Sequence, residues 1–317
     1  MSWPNESVLV RTPATSANLG PGFDSLGLAL ELHDDVEVEV TGGGLVIEVA
    51  GEGGEVEGRG ERHLIVRVLR RAFDLIDELA EAGGATALGQ PAGLRLRCVN
   101  RIPHSRGLGS SSAATVAGLV AARHLHPRGR LLDDEAALRL ATEIEGHPDN
   151  VAPCLAGGLT VAWTTPDGPR LVRLDPAVER VVAFVPEQRL ATERARGLLP
   201  ETVPHGDAAA NAGRAALLVA ALTAGLDPGV LLDATEDRLH QDFRAPAMPE
   251  SAGLVARLRG AGVPAVISGA GPTVLAFTTA SQVDSIASEL GNGWHIRPLD
   301  VAPRGAHVRA GRPSIRP

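Results

Sequence analysis

The sequence predicts an α+β protein built as two domains. Three observations predict it. The 317 residues are enough for two buried cores. Short segments of alternating apolar residues are interleaved with segments of helical spacing in both halves. A boundary falls near Thr165–Asp175, giving domains over residues 1–168 and 169–302 and a tail over 303–317.

Taken in order, Val8–Val10 reads as a strand entering a loop rich in Gly, Pro and Asn, from Pro13 to Asp24. Val36–Val40 alternates as a half-buried strand, with Leu45–Val49 as its hairpin partner. Gly51–Gly60 is acidic and Gly-rich, an exposed loop. His63–Ala80 has helical spacing through Leu64, Val68, Phe73, Ile76 and Leu79. After the loop Gly83–Pro91, Leu94–Val99 is a strand, and a small-residue helix runs to Leu125. Asp133 is placed as the N-cap of a helix ending near Glu145. Strands follow at Leu159–Trp163 and Val181–Val185, and Ala-rich helices at Ala208–Ala224 and Gly229–Gln241. The last third predicts a helix over Leu254–Arg259, a strand-turn-strand over Ala265–Phe277 and a helix over Val283–Leu290. The tail from Pro303 is rich in Arg, Pro and Gly and is expected to be disordered.

Composition narrows the chemistry. Hydrophobic residues make up 44% and charged residues 21%, an ordinary globular balance. No apolar run has the length of a membrane span, and Met1–Glu6 shows no basic segment followed by an apolar core, so a cytoplasmic protein without a membrane partner is expected. Cys98 and Cys154 are too few for a disulfide scaffold and read as reduced and buried. The net charge of −8 argues against nucleic acid as a partner. All 30 basic residues are Arg. Without Lys, a Walker A loop, Schiff-base chemistry and the protein-kinase strand Lys are excluded.

Any phosphate handling must therefore use backbone N–H groups, hydroxyls, Arg and a metal. The segment Gly107-Leu108-Gly109-Ser110-Ser111-Ser112, between a predicted strand and a predicted helix, suits that chemistry. Glycines let several N–H groups aim inward, the helix N-terminus adds partial positive charge, and hydroxyls can donate to phosphate or ligate Mg²⁺. The same residues also suit a ligand-free helix start, since Ser is a favoured N-cap. Ser112 stands where a Rossmann fingerprint requires Gly.

Four segments together resemble a known family. Pro13-Ala-Thr-Ser-Ala-Asn-Leu-Gly-Pro-Gly-Phe-Asp24 is similar to the N-terminal motif of homoserine kinases. Pro103-His104-Ser105-Arg106-Gly107-Leu108-Gly109-Ser110-Ser111-Ser112-Ala113 resembles the ATP loop of the GHMP kinases, and Ser268-Gly-Ala-Gly-Pro272 their C-terminal motif. Glu145-Gly-His-Pro-Asp-Asn-Val-Ala-Pro153 resembles the homoserine-kinase version of the segment beside the substrate. The match covers roughly residues 5 to 300 in order and spacing. It implies a ribosomal-protein-S5-like N-terminal domain, a ferredoxin-like C-terminal domain, an active site between them, and a homodimer.

The resemblance also implies roles. ATP is expected on Pro103 to Ala113, and Mg²⁺ on Ser111 and an acid of the next helix. Glu143 and Glu145 are both candidates, about 200° apart around a helix; the family alignment favours Glu143. The other reading of Glu143 is an i,i+4 partner of Arg139. The zwitterionic substrate is expected to meet Asn18, Asp24, His147, Asn150, Thr192, Arg196 and Arg244, its carboxylate calling for Arg. Asn150, Glu143 and Arg196 are the expected catalytic groups, with Asn150 orienting the acceptor hydroxyl. Glu61-Arg62-His63-Leu64 departs from the family's segment near the adenine pocket, and Gln241-Asp242-Phe243-Arg244 from its usual ending, though Arg244 is kept. A GHMP kinase for another acceptor and a non-catalytic relative are the competing expectations.

Overall fold

The computed structural model describes residues 3, 6–178, 180–278 and 293–309. The larger sheet takes its strands from β1 (Ser7–Ala17), β2 (Leu26–Thr41), β3 (Gly44–Gly51), β4 (Gly93–Asn100), β5 (Leu159–Thr165), β6 (Gly168–Leu174) and β11 (His307–Val308). Its order is β11-β1-β2-β4-β3, with β5 pairing β2 and β6 pairing β5. Helix α1 (Leu64–Ala82) buries the stripe Ile65, Leu69, Ala72, Phe73 and Ile76 against this sheet. Each fully buried Leu or Phe there contributes roughly 1.5–3 kcal/mol. Helix α2 (Ser110–Leu125) lies close against α1, because a Cβ at Gly118 would come within 2.8 Å of Val68 Cγ1.

The expected hairpin between Val36–Val40 and Leu45–Val49 does not form. β3 pairs β4 in parallel, and β4 lies between β2 and β3. The Gly42–Gly44 link steps over the start of β4: a Cβ on Gly93 would sit 2.4 Å from the Gly43 carbonyl carbon. Glycine on both sides of that crossing lets β4 slot into the opened pair. β1 also runs on through Pro13 to Ala17, with a register shift between Pro13 and Ala14.

Helices α3 (Asp134–Glu145) and α4 (Val151–Ala156) close the first domain. Asp133 caps α3 as expected, its carboxylate accepting from Ala136 N at 2.9 Å. The smaller sheet is antiparallel, β7 (Arg180–Pro186), β8 (Ala265–Ile267), β9 (Val274–Ala276) and β10 (Trp294–Asp300), in the order β10-β7-β9-β8. It carries α5 (Thr192–Arg196), α6 (His205–Ala224), α7 (Pro228–Ala234), α8 (Gln241–Arg244) and α9 (Pro249–Gly260). β10 was hidden in the sequence by Pro298, which an edge strand tolerates. The expected helix Gly229–Gln241 is broken after Ala234. Asp237 accepts from the N–H groups of Leu239, His240 and Gln241 at 2.8–3.1 Å, a local alternative to helix.

The domain limits move. β6 pairs with β5, so the first sheet extends past residue 168 to Leu174. Ala302 N donates to Ala29 O at 2.9 Å, Ala306 N to Cys154 O at 2.7 Å, and β11 adds to β1, so residues 301–309 return to the first sheet, 301–302 from the expected second domain and 303–309 from the expected disordered tail. The rest of that tail and the helix expected over Val283–Leu290 lie outside the described residues. Among the described residues, no helix is long and apolar enough to cross a membrane.

Replacing Asp133 with Ala should cost about 1 kcal/mol of unfolding free energy by loss of the cap, read from urea denaturation.

Candidate active site

Three glycine-bearing turns meet where the loop leaves β4 for α2. Thr15 N donates to Leu108 O at 3.1 Å, Gly269 N to Ala17 O at 3.0 Å, and Thr273 N to Arg106 O at 3.2 Å. The Ser268 hydroxyl lies 2.6 Å from Gly107 O and 2.8 Å from Ser16 Oγ. Gly107 and Gly109 have φ of 78° and 71°, in the left-handed region. A Cβ on Gly107 would fall 2.3 Å from Ser268 O, and one on Gly109 would fall 1.9 Å from Thr15 Oγ1. Glycine is therefore required twice at each position, by φ and by space. The first, second and fourth of the quoted motifs are one packed unit with the Ser268–Pro272 turn.

The resulting cleft, of about 290 Å³, is lined from both domains. It collects Asn18, His147, Asn150, Thr192, Arg196 and Arg244 of the expected substrate groups, and Ser105, Gly107, Gly109, Ser110, Ser111 and Ser112 of the expected ATP loop. Pro103, Leu108 and Ala113 are buried, and Leu108 serves through its backbone. Arg106 turns away from the cleft, onto the carbonyls of Pro186, Glu187 and His104 at 2.9, 3.1 and 3.2 Å.

The acid that faces the loop is Glu145, and the expectation for Glu143 is corrected. Ser111 Oγ and Thr115 Oγ1 donate to Glu145 Oε1 at 2.8 and 2.9 Å, and Ser112 Oγ to Oε2 at 3.2 Å. Glu143 is exposed. The signal was present: Leu138 and Ala141 are on the buried face of α3, and Glu145 continues that stripe at i+7 and i+4. Arg139 pairs with Glu135, so Glu143 is not its partner either.

Asn150 precedes α4, and its Oδ1 accepts from Thr15 Oγ1 at 2.9 Å. His147 Nδ1 is hydrogen-bonded to the buried Asp149 carboxylate. Burial disfavours its imidazolium, but the bond and charge of Asp149 prevail and raise its pKa. Asn18, at φ 67°, ties the turn together: its Oδ1 accepts from Asp24 N and its Nδ2 donates to Gly269 O, both at 2.9 Å. Asp24 holds Arg196 bidentately at 2.7 and 3.1 Å. Arg244 is 1% exposed, donates to Ala195 O at 3.3 Å and approaches His240 Nδ1 at 3.1 Å, with no carboxylate partner among the described residues. Phe23 lies beneath both guanidinium groups, at 5.8 Å from Arg196 and 5.4 Å from Arg244. Phe23, Thr15 and His240 were not read from the sequence.

On the other side of Ser110 and Ser111 a second cavity, of about 240 Å³, is lined by Val56, Leu64, Ile65, Ala114, Thr12 and Asp34 together with His63 and His104. Asp34 Oδ1 accepts from the N–H groups of Arg101 and Ile102 at 2.6 and 2.9 Å. Burial outweighs those bonds and pushes its carboxyl up to about 6.

Known proteins agree with this geometry. The profile described as GHMP kinases N terminal domain matches residues 64–158, and that of GHMP kinases C terminal matches residues 210–296. The homoserine kinase of Streptomyces avermitilis is 59% identical over 304 residues, 95% of each chain. That of Rhodococcus erythropolis is 47% identical over 311 residues, 93% of this chain and 94% of its own. The crystal structure of the Cytophaga hutchinsonii homoserine kinase is 25% identical, with a TM-score of 0.78, covering 98% of this chain and 99% of its own. The chain belongs to the homoserine kinases. GHMP kinases take their phosphoryl group from ATP, which agrees with a loop of amides and hydroxyls and with the absence of Lys. In this homoserine kinase family member the loop and the arginine pair line one cleft.

Two outcomes follow. Gly109→Ala should lower ATP-dependent turnover roughly 100-fold, since the loop must shift by the order of an ångström to clear Thr15; steady-state rates measure it. Asp34 binds its proton more tightly folded, at about 6, than unfolded, near 3.8, so stability falls as pH rises through that window. Asp34→Asn keeps the acceptor oxygen, and should gain on the wild type by up to roughly 3 kcal/mol between pH 4 and pH 7 in paired urea titrations.

Proposed function

We propose that this cleft moves the γ-phosphoryl group of ATP onto the side-chain hydroxyl of L-homoserine, giving O-phospho-L-homoserine and ADP. One observation carries the acceptor: Arg244 is a buried guanidinium with no carboxylate partner among the described residues, opening on the cleft that holds the phosphate loop. A buried cation left unpaired is costly, and an incoming carboxylate relieves it. Asp24 and Arg196 satisfy one another at 2.7 Å, and a zwitterion can replace that pair charge for charge, its ammonium on Asp24 and its carboxylate shared by Arg196 and Arg244. Thr192 lines the same wall, and His147, held by Asp149, lines the floor beside Asn150.

On this reading the triphosphate lies along Gly107–Ser112 at the N-terminus of α2, and the nucleoside in the second cavity, beside Leu64, Ile65 and His63. The oxygens of Ser111 and Glu145 form a hard donor pair that fits Mg²⁺, and Glu145 has no cationic partner among the described residues. When bound, the ion offsets phosphate charge. Asn150 orients the acceptor hydroxyl and takes no proton. Rate comes from positioning, amide donors and the helix dipole as the bridging P–O bond breaks, ADP leaves, and the homoserine oxygen bonds phosphorus while its proton passes to an oxygen of the transferred phosphoryl group. A homodimer in the cytoplasm without nucleic acid completes the proposal, the last in keeping with the net charge of −8.

A coupled ADP-release assay tests it. ADP should appear with ATP, Mg²⁺ and homoserine together and stop when homoserine or Mg²⁺ is omitted. Faster turnover with mevalonate or a sugar would overturn the acceptor. Glu145→Gln should lower kcat roughly 100-fold, while Glu143→Gln stays near the wild type; the reverse ranking restores Glu143 as the metal ligand.

A further inference from the structure

A second acid–arginine pair spans the mouth of the nucleoside-side cavity. Arg189 stands in the loop after β7, and Glu55 in the 3₁₀ turn Gly54–Arg62 of the first domain. Their side chains pair at 3.1 Å, with 51% and 56% of their surface exposed. Both line the cavity that opens on Ser110 and Ser111. The backbone around Arg189 is anchored to the phosphate loop itself. Leu190 N donates to Ser105 O at 2.9 Å, and Arg106 reaches from the loop to Pro186 O at 2.9 Å. Arg189 is thus held in place by its neighbours, and among the described residues its guanidinium is committed only to an exposed carboxylate.

Charge accounting narrows the guanidinium groups lining this cavity to Arg59 and Arg189, and Arg189 is the one whose backbone neighbour is bonded to the phosphate loop. The chain has no Lys, so any side-chain cation for a polyphosphate is an Arg. Arg106 is used by three backbone carbonyls, and Arg196 and Arg244 face the amino-acid end of the other cleft. An exposed ion pair is weak and exchanges readily. A polyphosphate offers several charged oxygens to a planar guanidinium and outcompetes one solvated carboxylate.

We propose that Arg189 is a nucleotide-binding residue and that Glu55 is a competing anion which holds it until the polyphosphate of ATP displaces it. The proposal rests on the reading of this cavity as the nucleoside site. It requires opposite effects from the two halves of one ion pair. Loss of the Arg189 charge weakens ATP binding, and loss of the Glu55 charge strengthens it. A brace between domains would weaken binding from either side, and an idle surface pair would do nothing from either side.

The test uses the full chain carrying Arg189→Gln, Arg189→Lys or Glu55→Gln. ATP and homoserine KM values are measured, and binding of a non-hydrolysable ATP analogue is followed by titration calorimetry. Thermal melting without nucleotide checks that each variant is folded. Arg189→Gln should raise the ATP KM and the analogue Kd roughly tenfold. Arg189→Lys should recover part of that loss, and Glu55→Gln should lower both by about two- to fivefold. The homoserine KM at saturating ATP should stay unchanged in all three. A rise in Kd for Glu55→Gln, or no change for Arg189→Gln, overturns the proposal while an active wild type leaves the kinase reading standing. A wild type that releases no ADP with homoserine removes the kinase reading instead.

Discussion

The cleft depends on the contact of Ser268 with Gly107 and Ser16. That contact joins three segments separated by up to about 250 residues, and it crosses from the second sheet to the first. Each segment supplies a turn with backbone in the left-handed region: Asn18 and Leu19, Gly107 and Gly109, Gly269 and Gly271. At Gly107 and Gly109 the turns pack so closely that an added Cβ meets backbone or a hydroxyl. The phosphate loop therefore owes its shape to the substrate turn and to the C-terminal motif as much as to its own glycines. This explains why the motifs occur as a set: none of them can hold its conformation without the other two.

Charge follows from the same constraint. With no Lys in the chain, cations arrive only on planar, pre-forked side chains, and these are placed by what they bond to when no ligand is present. Arg106 is spent on carbonyls and becomes structure. Arg196 is stored on Asp24. Arg244 is stored on a carbonyl and an imidazole, over the face of Phe23, where burial and the neighbouring Arg196 lower its pKa from the usual arginine range. Three different degrees of commitment give three different readinesses to meet an anion.

Much of this was legible in the chain. Helical spacing marked α1, Asp133 marked the start of α3, and the glycine and serine run marked the turn into α2. What failed failed for tertiary reasons. The β2–β3 link looks like a hairpin, and nothing local says that β4 enters between its arms. Pro298 hides β10, because edge position decides whether Pro is tolerated and edge position is not local. The family resemblance favoured Glu143, whereas the buried stripe of α3 is the physical signal that brings Glu145 to face the loop. Residues 303–309 read as part of a tail because their Arg, Pro and Gly composition says nothing of the free edge of β1 that receives them.

The acceptor end and the phosphate end differ in how binding is prepared. On the proposed reading, Asp24 and Arg196 are exchanged at the acceptor end for groups of opposite charge on one molecule, so a ligand with only one of the two charges must leave one partner unsatisfied. Arg244 sharpens this, since its burial leaves it little water to fall back on. A neutral sugar would gain nothing from opening that pair, and a simple carboxylate would strand Asp24 against it. Selection for a zwitterion thus follows from the stored pair as well as from any shape of the pocket. At the phosphate end the donors are mainly backbone amides and hydroxyls, which need no exchange of charge and present the same face to any polyphosphate, the proposed exchange at Arg189 and Glu55 being confined to the cavity mouth. Specificity for the acceptor and tolerance for the phosphate chain are therefore built from different materials on the two sides of Asn150.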